Sequence, residues 1–137
     1  MSYYADQAGA DHVIHFSGEG WWCGDFYAMS ENPVTPYHTR ALSSGEILLL
    51  PRLALNQLLK DRPVFERYFR IIFQKALMRQ QMRYIESCST SAEERYLSFI
   101  KAYPTIFRDV PQKYIASYLG ITPEFLSKIR KKLSKQS

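Results

Sequence analysis

The hydrophobic pattern of the chain changes period near residue 52. Before that point, apolar residues come in short runs separated by turn formers. Positions 12–16, HVIHF, are β-prone; Gly18 and Gly20 punctuate them, and Trp21 and Trp22 follow. Asn32, Pro33 and Pro36 mark a loop. Positions 37–41 and 47–50 predict two more strands around a turn at Ser43, Ser44 and Gly45. These strands are too few to close a sandwich or a barrel. The pattern therefore implies part of a larger β domain, or one that a partner chain completes, because an isolated sheet edge invites association.

From Leu53 the period is helical. Positions 53–59 predict a short helix closed by Asp61, Arg62 and Pro63. Pro63 suits the first turn of a longer helix reaching about residue 86. Phe65, Phe69, Ile72, Ala76 and Met82 form its expected apolar stripe, widened by Tyr68, Phe73, Leu77 and Ile85. With no second long helix in the sequence, a copy of the same helix is the simplest partner, which predicts a homodimer. Residues 87–90 break the pattern. Ser91 and Glu94 then form a capping box, and the helix it opens ends before Pro104. Residues 105–110 read as a connector.

Two helices are expected at the end, at 111–119 and 123–133, with Gly120 and Ile121 between them. Their spacing is that of a helix-turn-helix. Ala116 supplies the small residue where the helices cross, and Gly120 the left-handed end of the first. Ile115, Leu119, Ile121, Leu126 and Ile129 supply the apolar wedge. Thr122 as N-cap and Pro123 at the first helical position start the second helix. Leu126, Ile129 and Leu133 then face inward, whereas Glu124, Ser127, Lys128 and Lys131 share the opposite face. A carboxylate, a hydroxyl and two ammonium groups suit base edges in a major groove. Gln112, Lys113, Thr122 and Lys132 are the expected phosphate contacts, with Lys135 adding non-specific attraction.

Charge strengthens that reading. The net charge is +5, and its excess is local. Residues 1–90 balance nine Lys and Arg against nine Asp and Glu; residues 91–137 carry nine against four. Such a basic patch draws polyanions by releasing their condensed counterions. The remaining composition narrows the classes. No apolar run reaches the roughly 20 residues of a membrane helix. The opening MSYYADQAGADH has no basic region leading into an apolar stretch, so a cytoplasmic protein without a signal peptide is expected.

Enzymatic chemistry finds little support. Cys23 and Cys88 lie in no C-x-x-C pair and have no recognisable neighbouring base in sequence. His12, His15 and His38 are the candidate metal ligands. His12 and His15 point to opposite faces of one strand, however, and no Glu completes the set. The expectation is no metal, no cofactor and no catalytic residue.

The stretch SAEERYLSFIKAYPTIFRDVPQKYIASYLGITPEFLSKIRKKL resembles the C-terminal half of Crp/Fnr transcription regulators, which are bacterial cyclic-nucleotide-receptor-like proteins. Upstream, GWWCGDFYAMSENPVTPYHTRALSSGEILLLPR resembles the end of the family's effector-binding β-roll, and PVFERYFRIIFQKALMRQQMRYIESC its dimer helix. The resemblance implies an α+β chain in three parts: a partial β-roll over 1–62, a dimerisation helix over 63–88 and a DNA-binding domain over 89–137. It implies a dimer on a two-fold-symmetric operator in double-stranded DNA, an unknown small-molecule effector, and RNA polymerase as a further partner. The family's base-reading Glu-x-x-Ser-Arg pattern stands here as Glu124, Ser127 and Lys128, with the bidentate fork of Arg replaced by a point charge. Three departures matter. The sequence begins inside the β-roll. Gly24-Asp25 and Thr35-Pro36 replace the family's Gly-Glu and Arg-Ser phosphate-binding pairs, so no cyclic-nucleotide binding is expected. Only 134–137 follow the last helix, so the β-hairpin wing of many members is not expected. An alternative is a dimerising interaction module that titrates related regulators away from DNA.

Overall fold

The computed structural model describes residues 1–29 and 34–135. The loop expected at Asn32 and Pro33 and the last two residues of the tail lie outside them. Three strands come first: β1 (Ser2–Ala5), β2 (Asp11–His15) and β3 (Tyr37–Thr39). Six helices follow: α1 (Arg52–Asp61), α2 (Val64–Ser89), α3 (Ala92–Ala102), α4 (Pro104–Asp109), α5 (Gln112–Leu119) and α6 (Pro123–Ser134). The class is α+β, as expected.

The sheet is antiparallel with order β2-β1-β3. Its first strand was not foreseen. β1 and β2 are joined by a tight turn in which the Asp6 carboxylate accepts from the Ala8 and Ala10 amides, both at 2.9 Å. Gly9 supplies the left-handed residue there, with φ 80°. Two expectations differ. Residues 47–50 form no strand, and Ile47, Leu48 and Leu49 stand exposed. Strand propensity needs a neighbouring ladder to be realised, and none of the described strands pairs with this run. The connector at 105–110 is largely helix α4, because Pro104 starts a helix as readily as it stops one.

The described residues gather into two units, 1–44 with 90–137 and 45–89. These boundaries differ from 62 and 88, and the reason is a shared core. Tyr3 and Val13 from the strands and Phe16, just after β2, are buried in one cluster with Tyr96, Phe99, Ile115, Ala116, Leu119, Leu126 and Ile129. Phe16, Phe99 and Tyr118 close on one another, with ring centroids 5.3–6.0 Å apart. α5 lies against β2, where Ser117 Oγ accepts from the Val13 amide at 2.9 Å and donates to the Asp11 carbonyl at 2.8 Å. The strands are thus part of the body that carries the last two helices. α3 opens on the expected capping box: Ser91 Oγ accepts from the Glu94 amide, and the Glu94 carboxylate accepts from the Ser91 amide.

In the other unit α1 packs on α2. Phe69 is buried, and Phe65, Ile72 and Ala76 are half-buried. Met82, assigned to the same stripe, is 54% exposed. Its six-residue step from Ala76 does not fit a 3.6-residue turn, so it points elsewhere. Among the described residues no helix is long and apolar enough to cross a membrane.

Candidate nucleic-acid interface

The turn between α5 and α6 is fixed by backbone chemistry. Ala116 is fully buried. Gly120 adopts φ 70° and ψ 35°, and its amide donates to the Ala116 and Ser117 carbonyls. The Ile121 amide donates back to Ala116 at 3.0 Å. Together these bonds make a Schellman closure, which satisfies carbonyls that the helix end would otherwise orphan. Thr122 then caps α6 by accepting from the Phe125 amide at 3.2 Å, with Pro123 at the first position. Leu126 and Ile129 are buried and Leu133 is half-buried, which fixes the rotation of α6 about its axis.

That rotation leaves Glu124, Ser127, Lys128 and Lys131 together on the exposed side. Among the described residues, the side chains of Ser127, Lys128 and Lys131 make no hydrogen bond or ion pair. Glu124 is different. Its own amide and the Thr122 hydroxyl hold its carboxyl below the usual carboxylate range. It is therefore an ionised acceptor anchored at the start of the helix. Phe125, beside it, is 48% exposed and was not singled out in the sequence.

The expected phosphate contacts are less uniform. Lys132 Nζ lies 2.6 Å from a Glu93 carboxylate oxygen, tying α6 to α3. Both partners are partly exposed, so the pair is worth at most about 1 kcal/mol and exchanges readily for another anion. Thr122 spends its oxygen on the cap and keeps an exposed position. Gln112 is half-buried, and its side-chain oxygen is enclosed without a partner among the described residues. Only its amide nitrogen could donate to a phosphate. Lys113 is exposed, with its ammonium 4.8 Å from the centre of the Tyr114 ring.

Two arginines counted only as charge in the sequence have structural work. Arg95 donates to the Thr90 carbonyl at 2.6 Å and to the Leu119 carbonyl at 3.3 Å, bracing the end of α5 from α3. Arg130 lies against the buried Tyr96 hydroxyl; burial raises the phenol's pKa, and the guanidinium partly offsets that. A third, Arg40, follows β3. It donates to Tyr3 Oη at 2.8 Å, to Tyr114 Oη at 3.1 Å and to Asp11 at 3.1 Å. No spacing in the sequence connects it with α5.

The long helix offers a separate surface. Val64, Tyr68, Ile71, Met78, Met82 and Ile85 are all at least 36% exposed. With Lys75 they follow alternating steps of four and three, the heptad spacing of a coiled-coil seam. This face is distinct from the half-buried one that carries Phe65, Phe69, Ile72 and Ala76.

The histidines do not converge. His12 Nε2 lies 2.7 Å from Asp6, and the His12 ring stacks on Tyr4; His38 lies against Tyr3 and His15 against Trp21. Among the described residues no group of three or more His, Cys, Asp or Glu could hold a metal ion. Asp25 turns back on its own loop and accepts from the Tyr27 and Ala28 amides.

Comparison of the chain with family models, with curated proteins and with solved structures finds no match.

Proposed function

We propose that this chain is a sequence-specific double-stranded DNA-binding protein, a transcription regulator that reads a two-fold-symmetric site as a homodimer. In this reading α5 and α6 are a helix-turn-helix, and α6 is the recognition helix. Glu124, Ser127, Lys128 and Lys131 read bases; Lys113, Thr122, Lys132 and Gln112 hold the backbone. The observation that carries the reading is the exposed face of α6. Among the described residues three of its four polar side chains have no partner, on a helix whose rotation the buried Leu126 and Ile129 determine. A reading face needs such a fixed rotation, because base edges are recognised one by one.

The heptad face of α2 supports a dimer with a second copy of α2. In helix-turn-helix dimers the two recognition helices enter successive major grooves about one helical turn apart. The resemblance to Crp/Fnr regulators favours the same arrangement. RNA polymerase and a small-molecule effector belong to the proposal on that resemblance alone. Cyclic nucleotides do not belong to it, since Thr35-Pro36 offers no cation for a phosphate.

The deciding experiment is selection of bound duplexes from a random pool, followed by titration of the enriched duplex against random DNA. Enrichment of a palindrome with half-sites about 10 base pairs apart, bound at least about 1,000-fold more tightly than random DNA, is the expected result. A chain that dimerises but enriches no sequence would instead support an interaction module that acts on related regulators.

A further inference from the structure

We infer that Arg40, from the N-terminal strands, joins Lys113 in a clamp on the DNA backbone at the first turn of α5. This rests on the DNA-binding reading above and adds to it a residue 74 positions away from Tyr114 in sequence.

The geometry comes from the packing of the sheet on α5. Tyr114, in the first turn of α5, has one cation on each part of its side chain. The Arg40 guanidinium donates to its hydroxyl at 3.1 Å, and the Lys113 ammonium lies 4.8 Å from its ring centre. Arg40 also sits 4.7 Å from the centre of the Tyr3 ring while bonding the Tyr3 hydroxyl. A guanidinium braced by two phenols loses little further freedom on binding, which is the condition for a useful phosphate donor. It remains 45% exposed. In helix-turn-helix proteins the first helix crosses the DNA backbone, so the first turn of α5 is where phosphates would pass. Asp11, 3.1 Å from Arg40, is the opposing charge. It tempers the clamp in free protein and competes with phosphate for the same guanidinium.

The test is the salt dependence of binding to the enriched duplex and to random DNA. Each phosphate neutralised contributes about 0.9 to the slope of log K against log salt. Arg40→Gln is expected to lower that slope by about one, equally on both duplexes, and Arg40→Lys to retain it. Thermal melting without DNA establishes that each variant folds. An unchanged slope in folded Arg40→Gln, or a loss confined to the enriched duplex, overturns the inference and leaves the DNA-binding reading standing. Should Arg40→Gln fail to fold, Asp11→Asn decides, since it removes only the competing carboxylate: tighter binding at low salt supports the clamp, and unchanged binding overturns it. Wild-type protein that binds neither duplex overturns the DNA-binding reading and the clamp with it.

Discussion

Ser117 on α5 accepts a hydrogen bond from the amide of Val13 on β2 at 2.9 Å, across 104 positions of sequence. The same hydroxyl donates to the Asp11 carbonyl at 2.8 Å. One side chain thus serves two backbone groups on the outer side of β2 and fastens the sheet to the helix. Ser117→Ala withdraws both bonds from a partly buried site and is expected to destabilise the fold by about 1–3 kcal/mol. Urea denaturation measures this, and a loss well under 1 kcal/mol would show that water replaces the hydroxyl.

Gly120 sits at φ 70°, and a Cβ added there meets nothing within 4 Å. Any cost of substitution is therefore conformational. Gly120→Ala should cost about 1–2 kcal/mol, and Gly120→Asn less, because Asn tolerates the left-handed region. Equal losses in the urea midpoint for Ala and Asn would point to a steric cause.

Lys128 stands at the centre of the α6 face. Lys128→Ala is expected to weaken binding to the selected duplex by roughly 1–3 kcal/mol while leaving random DNA little affected. Lys135→Ala, near the end of α6, should instead flatten the salt dependence on both. Fluorescence anisotropy with the two duplexes separates the cases. Identical behaviour of the two variants would displace the reading face from α6.

The α2 surface makes a prediction about assembly. Met82, 54% exposed, lies on the heptad face. In the proposed homodimer, Met82→Glu would place a carboxylate on each side of a symmetric seam. Each buried Met side chain contributes roughly 1.5–3 kcal/mol, so the dissociation constant of the dimer should rise at least tenfold. Sedimentation equilibrium reads it. An unchanged constant would move the interface to another face.

Acid sensitivity follows from the α3 cap. The Glu94 carboxyl is held below the usual glutamate range, first by the Ser91 amide and then by the Ser91 hydroxyl. A carboxyl lowered in the folded state adds stability above the ordinary glutamate range and loses it as the pH falls through its folded value. Glu94→Gln removes the titration. The urea midpoints of wild type and variant should therefore differ at pH 7 and converge towards pH 3. A gap that is constant with pH would place the effect in side-chain shape.

The sequence was most informative where structure is decided within a few residues. Ser91 with Glu94, Gly120, and Thr122 with Pro123 each act on the next turn of chain, and each stands where it was expected. The face of α6 followed from the same local rules. Non-local pairing left no such mark. β1 is four residues long and begins at Ser2, with no alternation to betray it. The run 47–50 has the composition of a strand but no ladder to join. On α2, apolar residues populate more than one face, so a single stripe merged the half-buried row of Phe65 to Ala76 with the exposed row that includes Met82. Arg40 was invisible because only the packing of the sheet brings it to Tyr114.

The fastening of β2 to α5 also governs when the molecule can form. Asp11 and Val13 meet Ser117 only after more than a hundred residues have intervened. Contacts that close so long a loop come late, since the chain loses the entropy before it gains the bonds. On the ribosome, where the N-terminal end emerges first, the strands appear well before the helix that covers them. Until then β2 presents an open edge, and Val13 and Phe16 lack the helices that bury them. In that interval the uncovered edge of β2 is the surface that another strand or a chaperone would meet.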